Sequence, residues 1–147
     1  MFAALYAVLV WTFQPISYAF VQFRVAEALK PAVAKGWTLS VAFAIGNFLG
    51  NLVSPFAGIY ELGFMPLMNL VGGLLAYSVA RIFRNNYLAA ALVYATVIAL
   101  SVSWMLHALF NIPLEVLIPL LLASELAAMI IGSALFWLME KRWKWYL

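Results

Sequence analysis

The sequence contains no cysteine and no aspartate, and only 9% of its 147 residues are charged. Without cysteine the chain can form neither a disulfide framework nor a thiolate metal site. Soluble domains carry roughly a quarter charged residues, which keep their surfaces in water, so this composition excludes an ordinary soluble domain. The net charge of +3 comes from a few Lys and Arg at particular places along the chain, and no nucleic-acid partner is expected.

Apolar residues are abundant instead: 68% of the chain is hydrophobic, and its mean hydropathy is +1.06. A membrane-crossing helix needs about 20 predominantly apolar residues, and several such runs follow one another here. They are separated by short turns that contain proline, asparagine or charged residues. The pattern predicts an all-α, polytopic membrane protein with one domain over residues 1–147 and helices over 1–16, 21–34, 36–53, 61–83, 87–110 and 114–141.

Lysine and arginine concentrate at alternate ends of these predicted helices. The basic ends carry Lys30, Lys35, Arg81, Arg84, Lys141, Arg142 and Lys144, whereas the turns at 54–60 and 111–113 carry no Lys or Arg. Loops rich in Lys and Arg stay in the cytoplasm. Both termini are therefore expected on the cytoplasmic side of the cell membrane, surrounded by membrane lipids.

Glu125 is the deepest ionisable residue in the predicted bundle. It lies about 10 residues into the sixth helix, hence roughly 15 Å from that helix's outer end. An ionisable group at this depth costs a few kcal/mol, unless it has a partner or is protonated. Two roles remain open: a ligand acceptor at the floor of a pocket that opens outward, or an internal ion pair with Arg24 or His107.

Three further groups of polar residues are candidates for ligand contact. Arg24 and Glu27 are three residues apart and share a helix face, so they can brace one another or touch a ligand. Asn69 can bind a ligand or hold two helices together. In the fifth helix, polar and aromatic residues at three-residue spacing could hold a planar ring by stacking and hydrogen bonding, or could simply pack; they are Ser101, Trp104 and His107.

No catalytic or metal-binding motif can be assembled from these residues. An enzyme is therefore not expected, and neither is a metal or a cofactor. Ala3 and Ala7 have the spacing of small residues that lets another helix approach closely.

Several stretches of the chain resemble the QueT family. The resemblance is densest from residues 3–9 through 15–18 to 21–29, where Gln22-Phe23-Arg24 and Glu27-Ala28-Leu29 are similar to a QFRxSEAL-like stretch of that family. It continues over residues 50–56, at Glu61 and at Ser124-Glu125. Ala26 and residues 98–101 depart from the family pattern.

This resemblance implies a substrate-binding S component of an energy-coupling-factor (ECF) importer, which takes up queuosine precursors. The partners implied are a 7-deazaguanine-type small molecule, a transmembrane coupling subunit that docks on Ala3 and Ala7, and ATPase subunits. Glu125 would accept hydrogen bonds from the ring's N–H groups. Gln22 or Asn69 would form hydrogen bonds with another edge of the ring, and Trp104 or Tyr18 would stack on its face. Gln22, Arg24 and Glu27 would organise a lid, with Ser101 and His107 in the pocket wall.

Two alternatives stay open beside this interpretation. One is an S component for another vitamin or purine-like compound. The other is a membrane scaffold without transport activity, whose polar residues only hold the helices together.

Overall fold

A computed structural model describes residues 1–17 and 23–146, and these residues form helices and turns without a strand. The helices are α1 (Phe2–Thr12), α2 (Gln14–Ser17), α3 (Val25–Lys35), α4 (Thr38–Asn51), α5 (Tyr60–Ile82), α6 (Tyr87–Phe110) and α7 (Leu114–Arg142). The expected all-α class is confirmed. The first turn of α5, Tyr60–Phe64, is a π-helix, and the whole of α3 is a 3-10 helix.

Three of these helices, α5, α6 and α7, are long and apolar enough to cross a membrane, with 23, 24 and 29 residues. The exposed surface of the bundle is apolar. On α4, for example, Val41, Ile45 and Phe48 form an exposed stripe, while Asn47 on the opposite face is buried. Apolar residues outside and polar residues inside are the arrangement expected of helices whose solvent is lipid.

The 3-10 helix α3 lies at the centre of the bundle. It packs against α1, α4, α5, α6 and α7, and most of its residues are buried. Small side chains such as Ala26, Ala32 and Ala34 let the surrounding helices approach it closely. Lys30 is 0% exposed, so its expected place at a cytoplasmic helix end is wrong. The physical reason is that α3 continues to Lys35, so that Lys30 lies in the middle of a helix that other helices surround.

The two ends of the bundle are defined by contacts between distant parts of the chain. At one end the rings of Phe2 and Trp145 are 5.6 Å apart, which places the N- and C-terminal segments together. Lys35 and Glu140 form an ion pair of 2.9 Å at this same end. At the other end the rings of Phe56 and Phe110 are 5.5 Å apart, so the two turns without Lys or Arg meet there.

Gly132 allows α7 to contact the backbone of α3. A Cβ atom at this position would overlap the carbonyl oxygen of Ala28 and lie 2.6 Å from its carbonyl carbon. Backbone atoms cannot rotate away as a flexible side chain can. Only glycine therefore permits this separation of the two helices, which also determines how far Glu125, seven residues earlier on α7, lies from α3.

Replacing Gly132 with alanine should destabilise the protein by about 1–3 kcal/mol, the usual cost of overpacking a core. The measurement is thermal unfolding of the purified protein in detergent. Gly63→Ala is the matched control, because the nearest atom to a Cβ there is 3.9 Å away. Equal stability of the Gly132→Ala and Gly63→Ala proteins would contradict the close contact between α3 and α7.

A buried polar cavity as the candidate functional site

The interior of the bundle contains a small cavity lined mainly by polar side chains. They come from four helices and the residue before α3: Arg24, Glu27, Lys30, Asn47, Asn69 and Glu125. The remaining lining is apolar and includes Met65 and Ile98. The cavity volume is about 10 Å³, which is about the space that one water molecule needs.

The ion pair between Glu27 and Lys30 occupies the centre of this cluster. Both side chains are almost completely buried, with exposures of 2% and 0%. The hydroxyl of Tyr6 donates a hydrogen bond of 2.5 Å to Oε1 of Glu27. The Lys30 ammonium lies 4.9 Å from the ring centroid of Tyr94 and 5.6 Å from that of Tyr6. Such contacts offset part of the cost of removing both charges from water.

The 3-10 geometry of α3 explains why these charged residues meet. With three residues per turn, side chains at i and i+3 lie directly above one another. Glu27 and Lys30 have this spacing, and Arg24 precedes Glu27 by three more residues. Arg24 donates from Nε to the carbonyl oxygen of Ser17 at 3.4 Å. Arg24 and Glu27 both line the cavity, but Arg24 lies before the first residue of α3, and the ion pair of Glu27 is with Lys30.

Glu125 reaches the same cavity from the middle of α7. It is 5% exposed, lies within hydrogen-bonding reach of Glu27, and is close enough to Lys30 and Arg24 to interact with their charges. The proximity of Glu125 to Arg24 agrees with the expectation, and its depth in the membrane stays a prediction. His107 is not its partner, because His107 is exposed and its Nδ1 contacts the carbonyl oxygen of Ile112 at 2.9 Å.

Four polar atoms of the cavity lining have no hydrogen-bond partner among the described residues. Oε2 of Glu27 and Nζ of Lys30 face each other in the ion pair, which leaves Oε2 of Glu125 and Nδ2 of Asn47 without a polar partner. Buried polar groups are nearly always hydrogen-bonded in folded proteins, so each of these atoms needs an explanation. One is an acceptor and the other is a donor. A group that satisfies both atoms must therefore donate one hydrogen bond and accept another.

Asn69 holds two helices together, which is one of the two roles that its sequence position leaves open. Its Nδ2 donates to the Met65 carbonyl oxygen at 2.9 Å, and the hydroxyl of Tyr94 donates to the Asn69 carbonyl oxygen at 2.8 Å. Asn69 thus links α5 to α6. Its Oδ1 also accepts from the Tyr94 hydroxyl at 3.4 Å. Asn69 lines the cavity, and its contact with a ligand stays a prediction.

The other expected site residues lie outside the cavity lining. Ser101 donates to the Val97 carbonyl oxygen at 2.7 Å within its own helix. Trp104 is 47% exposed and packs against the rings of Tyr60 and Phe64. The stripe of Ser101, Trp104 and His107 is not part of the cavity wall. Tyr18 and Gln22 fall outside the described residues.

Ala3 and Ala7 pack inside this chain. Ala7 is 3% exposed, and a Cβ on Gly46 would lie 2.9 Å from the Ala3 carbonyl oxygen. Their small side chains therefore serve the contact between α1 and α4. The exposed side of α1 consists of other residues, among them Leu5, Val8 and Trp11.

Sequence reasoning missed three residues of the cluster. Lys30 was assigned to a helix end, although its spacing from Glu27 is the signal that could have identified the ion pair. Asn47 gave no signal that separates it from an asparagine that only packs helices together, as Asn51 does by donating to the Glu61 carbonyl oxygen at 2.9 Å. Tyr6 gave no signal, because a tyrosine in an apolar helix is typical of packing.

Comparison with known proteins gives one match. A family model described as QueT transporter matches residues 1–141. No curated protein and no solved structure matches the chain.

Proposed function

Because the chain belongs to the QueT transporter family, we propose that it captures a queuosine precursor or related 7-deazaguanine from the outside for import. The family and the three long apolar helices identify a multi-pass membrane protein that is a transporter rather than an enzyme. Within that class, the proposal assigns substrate binding to the buried polar cavity around Glu125.

The observation that carries this proposal is the pair of unpartnered polar atoms in one cavity, Glu125 Oε2 and Asn47 Nδ2. A 7-deazaguanine presents a lactam N–H and an exocyclic amine side by side. The Glu125 carboxylate can accept from both, and such charge-assisted hydrogen bonds are roughly twice as strong as neutral ones. The Asn47 amide can donate to the ring carbonyl, and Asn69 Oδ1 can accept at another edge.

Binding requires the cavity to expand, because its volume of about 10 Å³ is far below the roughly 300 Å³ or more of ordinary ligand pockets. We infer that α3 moves, since it supplies both Glu27 and Lys30 and is held to its neighbours by polar contacts at this point. The hydrogen-bond donors and acceptors of the incoming ring can replace these contacts one for one. Arg24, which precedes α3, would move with it.

The proposed arrangement in the membrane has six crossings with both termini in the cytoplasm. It is supported by the contact between the terminal segments at one end of the bundle and by the concentration of Lys and Arg at that end.

As an ECF-type S component the chain would deliver its substrate to a coupling subunit and ATPase subunits. The exposed face of α1, with Leu5, Val8 and Trp11, is the proposed docking surface on this helix.

The test is mass spectrometry of small molecules released from protein purified in mild detergent, followed by thermal-shift titration with 7-deazaguanines. We expect a co-purified heterocycle and a stabilising shift with these compounds but not with adenine, whose edge lacks the lactam N–H. A stabilising shift with an unrelated vitamin instead would indicate an S component of another specificity.

A scaffold without transport activity is the second candidate, and the small volume of the cavity favours it. This role predicts that the purified protein retains no heterocycle and that its unfolding temperature does not respond to any member of a library of vitamins and purines. Both results together would overturn the importer proposal.

A further inference from the structure

A second, larger depression lies at the end of the bundle where the two termini meet. It is a groove of about 760 Å³ between the α5–α6 turn and the last turns of α7. Its lining includes three cations, Lys35, Arg84 and Lys141, and a single carboxylate, Glu140. Apolar side chains that belong to the exposed surface of the bundle, Ile130 and Trp137, continue the groove along α7.

The carboxylate of this groove is already engaged. Glu140 Oε1 accepts from Lys35 at 2.9 Å and from the hydroxyl of Tyr146 at 2.9 Å. Lys141 lies 3.4 Å from the ring centroid of Trp137, a contact that leaves its positive charge uncompensated. Over residues 1–17 and 23–146, neither Arg84 nor Lys141 forms an ion pair. Within the described part of the chain, the groove therefore has two cationic groups without an anionic partner.

Arg84 occupies a backbone conformation that normally selects glycine. Its φ is 58°, in the left-handed region, and it occupies the C′ position of a Schellman motif that ends α5. The Asn85 N–H donates to the Ala80 carbonyl oxygen at 2.8 Å, and the Arg84 N–H donates to the Arg81 carbonyl oxygen at 3.3 Å. Glycine is the usual residue at this position. An arginine at this position strains the turn. A functional role for its guanidinium group explains why the turn carries this strain.

We propose that this groove binds the headgroup of an anionic phospholipid. The phosphate would lie between Arg84 and Lys141, and an acyl chain would follow Ile130 and Trp137 along α7. Charge complementarity favours this occupant, because a neutral heterocycle would leave both cations unpaired. Basic pockets between membrane helices bind anionic headgroups in this way. The groove lies at the end that the charge pattern assigns to the cytoplasm, where anionic lipids concentrate.

The test is native mass spectrometry of the full chain in detergent, titrated with phosphatidylglycerol or with phosphatidylcholine of the same acyl chains. Two cations near the surface contribute a preference for phosphatidylglycerol of about 30-fold, or about fivefold each. Arg84→Gly should reduce the preference for phosphatidylglycerol about fivefold. It should not unfold the protein, since glycine suits the turn. Arg84→Gly with Lys141→Gln should abolish the preference. Lys144→Gln, outside the groove lining, is the control of equal charge and should retain it.

Three results would overturn the proposal. The first is an undiminished preference in the double variant. The second is displacement of phosphatidylglycerol by millimolar inorganic phosphate, which would identify a site for a free anion. The third is no preference for phosphatidylglycerol in the unsubstituted protein. If the double variant then also loses a co-purified coupling subunit, the groove is a protein-docking surface.

Discussion

Glu125→Gln should weaken the binding of a 7-deazaguanine ligand roughly 100-fold, which corresponds to about 3 kcal/mol. The carboxylate offers two acceptor oxygens to two adjacent donors of the ring. A glutamine amide offers one oxygen, and its NH₂ group then faces a ligand donor. Glu125 is 5% exposed, so water cannot compensate for the mismatched pair. The measurement is ligand titration of the purified protein, followed by thermal shift or calorimetry.

Glu115→Gln is the matched control for this substitution. Glu115 lies in the first turn of the same helix and is exposed, so the same chemical change there should leave affinity within about twofold, as expected of a surface position. Unchanged affinity in the Glu125→Gln protein would remove Glu125 from the site. If both proteins unfold at the temperature of the unsubstituted chain, the loss of affinity is a loss of contact and not of folding.

Lys30→Met should lower the free energy of unfolding by about 3–5 kcal/mol, the usual cost of leaving one charge of a buried pair without its partner. The Glu27 carboxylate would remain buried at 2% exposure, with the Tyr6 hydroxyl as a hydrogen-bond donor. Removing the charge of Glu27 as well should recover more than half of the loss, because a neutral pair has no such penalty. The measurement is unfolding in detergent of Lys30→Met alone and together with Glu27→Gln.

The Lys35–Glu140 pair provides the comparison. Its side chains are 11% and 26% exposed, so Lys35→Met should cost about 1 kcal/mol or less, as for ion pairs near the surface. Equal losses of unfolding free energy for Lys30→Met and Lys35→Met would mean that Lys30 is solvated. That result would contradict the buried position of Lys30 in α3.

The helices could be predicted from the sequence with good accuracy where the apolar runs are long. α6 spans Tyr87–Phe110, the predicted bounds, since a long apolar run between polar turns has no stable alternative to a helix in lipid. The region of residues 21–34 was harder to interpret. An α-helix was expected there, whereas the structure has a 3-10 helix, whose geometry depends on neighbours that approach α3 from all sides.

The candidate site could be predicted only in part. Glu125 was identifiable because a carboxylate so far from either helix end is costly without a partner. Trp104 and His107 were also expected in the site, because three-residue spacing on α6 places them near Ser101. Spacing identifies a shared face of one helix but does not determine what that face contacts. In the folded protein both side chains are exposed.

The sequence by itself determined that this chain is helical, that lipid surrounds it, and that its basic residues concentrate at alternate helix ends. Composition and the periodic turns suffice for these properties, because each depends on a helix and its solvent alone. The tertiary structure decided that Lys30 pairs with Glu27 in the interior and that Asn47 and Glu125 share one cavity. Such pairings depend on how helices rotate and approach, which small residues such as Gly132 control through backbone contacts that no local pattern encodes.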